Sequence, residues 1–230
     1  MVTFDEIFSR NILAWGEDKQ QQLAEACILV AGVGGLGCTV AEILVRSGVG
    51  TLILIDNGIV DEPDLNRQIL YTLDDLGKVK VEAAAEKLSR IHAQSTIIPV
   101  NSRIVADPAL FDRLRHYNFH GIADCLDNFS SRFIVEELLN EELFLVHGGV
   151  QNDYGQMTTV KKNVTRTLKA LYPNVEDAHS PLPVCPQIVA CVGSMMAHEV
   201  VNNLWNTPQL LNILFIIELS DFTFSKIQLR

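Results

Sequence analysis

The sequence predicts an α/β fold: a doubly wound, mainly parallel sheet that finishes in antiparallel strands. Three observations carry that reading. Short apolar runs such as Cys27 to Ala31 and Thr51 to Ile55 lack polar alternation, as strands buried on both faces do. Helix-periodic segments separate these runs up to about residue 147, and strands alternating with helices across short loops call for parallel pairing. Beyond that point strands alternate in polarity or follow one another directly.

Thr3 and Glu6 have the spacing of a capping box, and an amphipathic helical stretch follows with interruptions to about Ala26. Cys27 to Ala31 is the first strand, bounded by Gly32. A helix over Leu36 to Ser47, stopped by Gly48, leads to a second strand over Thr51 to Ile55 that ends at Asp56. The alternation continues with a helix over Val79 to His92, a strand over Thr96 to Val100 and a helix near Ala109 to Arg115. A strand over Gly121 to Asp124, a helix from Ser130 to Glu141 and a strand from Leu143 to His147 complete it. Gln156 to Val160 alternates as an edge or antiparallel strand would. Residues 163–186 hold four of the eight prolines and read as an irregular crossover. A helix from about Gln187 to Trp205 follows, then strands over Ile213 to Glu218 and Phe222 to Leu229 joined by Ser220-Asp221.

Composition sets limits on function. Of 230 residues, 48% are hydrophobic and 20% charged, so disordered and low-complexity classes are excluded and a single large domain is expected. The 28 acidic residues outnumber 18 basic ones for a net charge of −10, and the positive charges form no stripe. That argues against general nucleic-acid or anionic-membrane binding. The uncharged stretch Val200 to Ile217 carries four Asn and Pro208, so no membrane span is expected. The first residues bring acids where a secretory leader needs bases, which points to the cytosol. The five cysteines contain no C-x-x-C pair, arguing against a disulfide framework and a zinc ribbon.

Gly32-Val-Gly34-Gly35-Leu-Gly37 is a G-x-G-x-x-G between a strand and a helix, and Asp56 ends the next strand 19 residues after Gly37. The glycines let backbone approach a phosphate-bearing ligand at a helix N-terminus, and the carboxylate accepts hydrogen bonds from ribose hydroxyls. The expectation is a Rossmann-like nucleotide-binding part over residues 1–160, with the crossover, helix and last strands over 161–230. Asp64-Leu-Asn66-Arg67-Gln68, Lys80, Asp124-Cys-Leu-Asp127-Asn128 and Arg132 follow. Strand C-termini converge on one crevice in such a sheet, so Arg67 and Lys80 are placed to neutralise a triphosphate while Asp127 holds Mg²⁺. This set disfavours an NAD oxidoreductase.

These residues resemble the ThiF/MoeB/HesA family, bacterial relatives of the ubiquitin-activating enzymes. The match runs through Arg10-Asn-Ile, Gly32 to Gly37, Asp56, Leu65 to Gln68, Gly77 with Lys80-Val-Glu82, Asp124 to Asn128, Gly193-Ser194 and Glu199, nearly the whole chain. The resemblance implies ATP- and Mg²⁺-dependent adenylation of the C-terminal glycine of a ubiquitin-like sulfur carrier of the ThiS/MoaD type, with release of pyrophosphate. It implies that Asp56 holds the ribose, that Asn66, Arg67 and Lys80 hold phosphates, that Asn128 lies at the nucleotide, and that Asp127 binds the metal. Arg10 would complete the partner's site in a homodimer. Alternatives are the same chemistry on a peptide or tRNA-linked carboxylate, and a partner subunit without catalysis.

The chain departs from that family at Asp64, where Asn is usual; a carboxylate there repels phosphates unless it turns away or shares the metal. The C-x-x-C zinc pairs of many members are missing, so no zinc is expected. Cys185 precedes a helix whose dipole would favour the thiolate, making it the candidate for a thioester or persulfide step, though its offset from Gly193-Ser194 is short. Cys125 reads as a packed small residue, and Cys27, Cys38 and Cys191 as core. His147 reads as a strand-end histidine, more often structural than substrate-facing. His198 reads as a core or interface histidine.

Overall fold

A computed structural model describes residues 3–92 and 94–229. The helices are α1 Phe4–Trp15, α2 Glu17–Glu25, α3 Gly35–Ser47, α4 Lys80–Ser89, α5 Pro108–Arg115, α6 Phe129–Glu136, α7 Leu168–Leu171 and α8 Pro186–Leu204. The strands are β1 Cys27–Ala31, β2 Thr51–Asp56, β3 Thr96–Asn101, β4 Gly121–Asp124, β5 Phe144–Gln151, β6 Tyr154–Lys161, β7 Ile213–Glu218 and β8 Thr223–Gln228. They form one sheet in the order β3-β2-β1-β4-β5-β6-β7-β8. The first five strands in that order are parallel, and β6, β7 and β8 pair antiparallel. The expected fold class is therefore what the chain adopts.

Alternation along β1 sorts the core into two layers. Ile28 and Val30 face α3 and α8 with Leu52, Leu54, Val40, Leu44, Val192 and Met196, while Leu29 and Ala31 join Ile53, Ile55 and Ile122 against α5 and α6. Each fully buried aliphatic side chain contributes about 1.5–3 kcal/mol relative to exposure. Helix α8 lies so close to α3 that a Cβ on Gly193 would sit 2.7 Å from the Thr39 Cβ.

The helical stretch before β1 is broken at Gly16, whose φ of +89° ends α1 and starts α2. Two boundaries differ most from expectation. The helix after β4 stops at Glu136 and continues only as three-residue turns through Leu139, with Leu138 N donating to Val135 O. Strand β5 runs on through Gly148 and Gly149 to Gln151 because β6 pairs with its whole length, from Phe144 opposite Lys161 to Gln151 opposite Tyr154. That pairing overrides the weak strand preference of the two glycines. Among the described residues no helix is long and apolar enough to cross a membrane.

The chain leaves β1 outward to β2 and β3, then returns to β4 on the other side of β1. The C-terminal ends of β1, β2 and β4 thus flank the topological switch point, where this class of sheet opens a crevice.

Candidate functional site

The loop after β1 sorts its glycines by physical role. Gly32 has a φ of +86° and lies against the β4 loop, where an added Cβ would be 2.9 Å from Cys125 O. A Cβ on Gly37 would sit 1.9 Å from Gly32 O, and one on Gly35 would meet Val189 of α8 at 2.8 Å. At these three positions the loop's own packing excludes a side chain. Gly34 is different, since the nearest atom to its virtual Cβ is Gln68 Nε2 at 3.8 Å. It is the position that leaves room for a ligand at the N-terminus of α3, which no side chain caps.

Asp56 braces this loop. Its Oδ2 accepts from Val33 N at 2.8 Å and its Oδ1 from Gly58 N at 2.6 Å. The ribose contact expected of Asp56 must use the remaining lone pairs. Buried Tyr71 locks the same region, with its hydroxyl 2.8 Å from Val33 O and 3.2 Å from Lys80 O. Burial pushes the Tyr71 phenol far above its ordinary range, so it stays a proton donor.

The segment after β2 gathers its polar groups around Asp64. Lys80 Nζ lies 2.9 Å from Asp64 Oδ2, Gln68 Nε2 donates to Oδ1 at 2.5 Å, and Arg67 Nη2 approaches Oδ1 at 4.0 Å. The carboxylate thus does not turn away from these groups but pairs with them. Arg67 also donates from Nη1 to Pro63 O at 2.8 Å and to Asn66 Oδ1 at 2.9 Å. Its stem reaches the glycine loop, 3.5 Å from the virtual Cβ of Gly35. Gln68 Oε1 is buried beside Gly34 without a partner.

At the end of β4, Asp127 is exposed, and its Oδ1 accepts from Asn128 Nδ2 at 3.1 Å. Asn128 Oδ1 caps α6 by accepting from Ser131 N at 2.9 Å, so this side chain is committed to the helix and to Asp127. One exposed carboxylate offers a single ligand of the kind Mg²⁺ takes, and that ion commonly keeps several waters or substrate phosphate oxygens besides. No group of three or more His, Cys, Asp or Glu side chains among the described residues is arranged to hold a metal by itself.

The ThiF family matches residues 8–230. The chain belongs to that family. A molybdopterin-synthase adenylyltransferase of Salmonella typhimurium is 32% identical over 205 residues, covering 84% of this chain and 80% of that protein. A probable molybdopterin-synthase adenylyltransferase of Porphyra purpurea is 29% identical over 189 residues, and the chain spans only 49% of its length. Among solved structures, PaaA superposes with a TM-score of 0.84 at 20% identity, covering 100% of this chain and 85% of that one. E. coli MccB crystallised with ATP superposes at 0.79 and 20%, covering 99% and 72%. At that identity the two structures speak to the fold alone.

In this ThiF-family chain one of the expected site residues, Arg10, stands apart from the glycine loop. Arg10 is exposed on α1, which packs at the C-terminal end of α3: Asn11 Nδ2 donates to Arg46 O at 3.1 Å and Phe8 lies against Gly48. The glycine loop is at the opposite end of that 13-residue helix, about 20 Å away at 1.5 Å per residue. Cys185 is the N-cap of α8, one turn before the Val189 that packs on Gly35. Its thiol is pushed above the ordinary value, chiefly by a hydrogen bond with the Asp153 carboxylate, and not lowered as its place at the helix start led us to expect. His198 is exposed and Cys191 half-buried, so neither is a core residue.

The sequence did not reveal a buried cluster beneath the β4 loop. Asp124 Oδ1 accepts from Leu126 N at 3.2 Å, Arg132 Nε donates to Leu126 O at 3.2 Å, and Tyr172 Oη lies 3.1 Å from His147 Nε2. Asp177 of the crossover accepts from Phe129 N at 2.6 Å and Ser130 N at 3.1 Å, pinning that segment over the start of α6. The adjacent motif residues Asp124 and Arg132 were a signal for the first group; nothing in the crossover flags Asp177 or Tyr172.

Proposed function

We propose that this chain is an ATP-dependent adenylyltransferase that activates the C-terminal carboxylate of a small ubiquitin-like sulfur carrier, as a cytosolic homodimer. The observation that carries the reading is the opening at Gly34, at an uncapped helix N-terminus, with Gln68 beside it, Arg67 at Gly35, Lys80 joined to both through Asp64, and the loop that leads to Asp127 packed on Gly32. The names of the relatives support the same reaction class.

The chemistry asks for charge neutralisation and alignment and needs no general base, because the attacking carboxylate is already ionised. Its oxygen bonds to the α-phosphorus while the bond to the oxygen bridging to the β-phosphorus breaks, and pyrophosphate leaves with the electron pair; no proton moves. Gly34 admits the phosphates to the N–H groups of α3, and Lys80 and Arg67 neutralise the charge that builds on the leaving group. Asp127 would hold Mg²⁺, which supplies Lewis-acid neutralisation of the phosphates when bound. Asp56, fixed by Val33 and Gly58, orients the ribose.

Isotope exchange between pyrophosphate and ATP tests the reading. Exchange should require Mg²⁺ and a carrier with a free C-terminal glycine, and Asp127→Ala should lower it by about 10³-fold while leaving the fold intact. Exchange stimulated only by an unrelated short peptide would favour the peptide substrate instead. Exchange that persists in Asp127→Ala would remove the metal assignment.

A further inference from the structure

We propose that Asp64 is a built-in stand-in for a phosphate, holding Lys80, Gln68 and Arg67 in place until the triphosphate takes Lys80 from it. The proposal rests on the nucleotide reading above. Its ground is the convergence on one carboxylate of three donors, of which Gln68 faces Gly34 and Arg67 faces Gly35: Lys80 Nζ at 2.9 Å, Gln68 Nε2 at 2.5 Å and Arg67 Nη2 at 4.0 Å.

The carboxylate is held in position by its own turn, since Asp61 N donates to Oδ2 at 3.1 Å. Lys80 is equally confined. A Cβ on Gly58 would be 3.1 Å from its Cδ, and Tyr71 holds its backbone carbonyl. With side-chain exposures of 14% and 13%, Lys80 and Asp64 are shielded enough for their attraction to exceed that of a surface pair. Two cations face one anion, so the cluster keeps a net positive charge for a phosphate chain. The arrangement has two consequences. It keeps the cationic side chains in place without nucleotide, and it makes every phosphate contact with Lys80 compete with Asp64.

Asp64→Asn keeps one oxygen acceptor, for Asp61 N, and turns an N–H toward Gln68, whose unpartnered Oε1 accepts it once that amide flips, while removing the competing charge. ATP should then bind this variant about tenfold more tightly, and KM for ATP in pyrophosphate exchange should fall with little change in kcat, whereas adenosine affinity should not move. A merely structural Asp64 would shift both ligands together. ATP binding that is unchanged or weaker in the variant, with adenosine unaffected, overturns the proposal and leaves the nucleotide site standing. Absence of ATP binding in both proteins overturns the nucleotide reading and the proposal with it. Should the variant fail to fold, a crystal structure of the unsubstituted protein with a non-hydrolysable ATP analogue decides the matter. Lys80 Nζ should contact a phosphate oxygen and no longer Asp64, and an intact Lys80–Asp64 pair beside bound nucleotide would refute the idea.

Discussion

His147 Nδ1 lies 2.7 Å from Asp124 Oδ2, with both side chains completely buried beneath the β4 loop. Arg132 Nη1 is 3.3 Å from the other ring nitrogen. Burial first, and Arg132 second, push the His147 pKa down against the pull of Asp124. A neutral ring satisfies its neighbours, donating from Nδ1 to Asp124 and accepting at Nε2.

That relationship fixes a pH dependence. In the unfolded chain a histidine titrates near 6.5, and below that pH the unfolded state binds a proton that buried His147 refuses. Stability is therefore fully present above about pH 6.5 and declines as pH falls through it. His92, also lowered by burial, adds in the same direction. The thermal midpoint should fall between roughly pH 7.5 and 5.5, and His147→Asn should flatten the slope even as it lowers the midpoint. An equally steep slope in the variant would show that other groups set it.

Gly37→Ala and Gly34→Ala should behave as opposites. The new methyl at position 37 would collide with backbone at Gly32, so we expect a loss of at least about 1–3 kcal/mol, read as a lower denaturation midpoint. At position 34 no atom of the fold is closer than 3.8 Å, so stability should change by less than about 0.5 kcal/mol while ATP affinity drops. A stable Gly37→Ala protein would contradict the packing argument.

The raised Cys185 pKa predicts slow alkylation at neutral pH, and Asp153→Asn should speed it by removing the main cause. If the thiol acts after the adenylate forms, Cys185→Ser keeps pyrophosphate exchange and loses covalent attachment of carrier or sulfur. If the unsubstituted protein traps no covalent species either, the reaction ends at the adenylate.

Sequence patterning revealed the sheet because buried parallel strands and amphipathic helices repeat with periods that a single chain displays. Gly32 to Gly37 and Asp56 came together as their spacing required, since the strand-turn-helix unit is local. What the residue order concealed was contact between side chains far apart in the chain. The thiol of Cys185 follows Asp153, 32 positions earlier, more than its own helix, and Asp177 reaches α6 across 48 positions. The pairing of Asp64 with Lys80 depends on a turn whose geometry no periodicity encodes.

Arg10 lies too far from its own glycine loop to serve it, so its part in catalysis is a test of assembly. Homodimers of Arg10→Ala and of Asp127→Ala should both be nearly inactive. After subunit exchange, half the dimers are mixed and one of the two sites in each is complete, so about a quarter of full activity should return. A mixture that stays inactive although mass measurement finds mixed dimers would place Arg10 outside the reaction.

In the proposed reaction a carboxylate oxygen of the carrier attacks the α-phosphorus of ATP. That attack is tested most directly by labelling the carrier's terminal carboxylate with ¹⁸O, adding ATP and Mg²⁺, and trapping the activated acyl group with hydroxylamine. The trap cleaves the acyl carbon–oxygen bond, so the released AMP should carry one ¹⁸O. AMP without label, with both heavy oxygens retained in the carrier, would contradict the account.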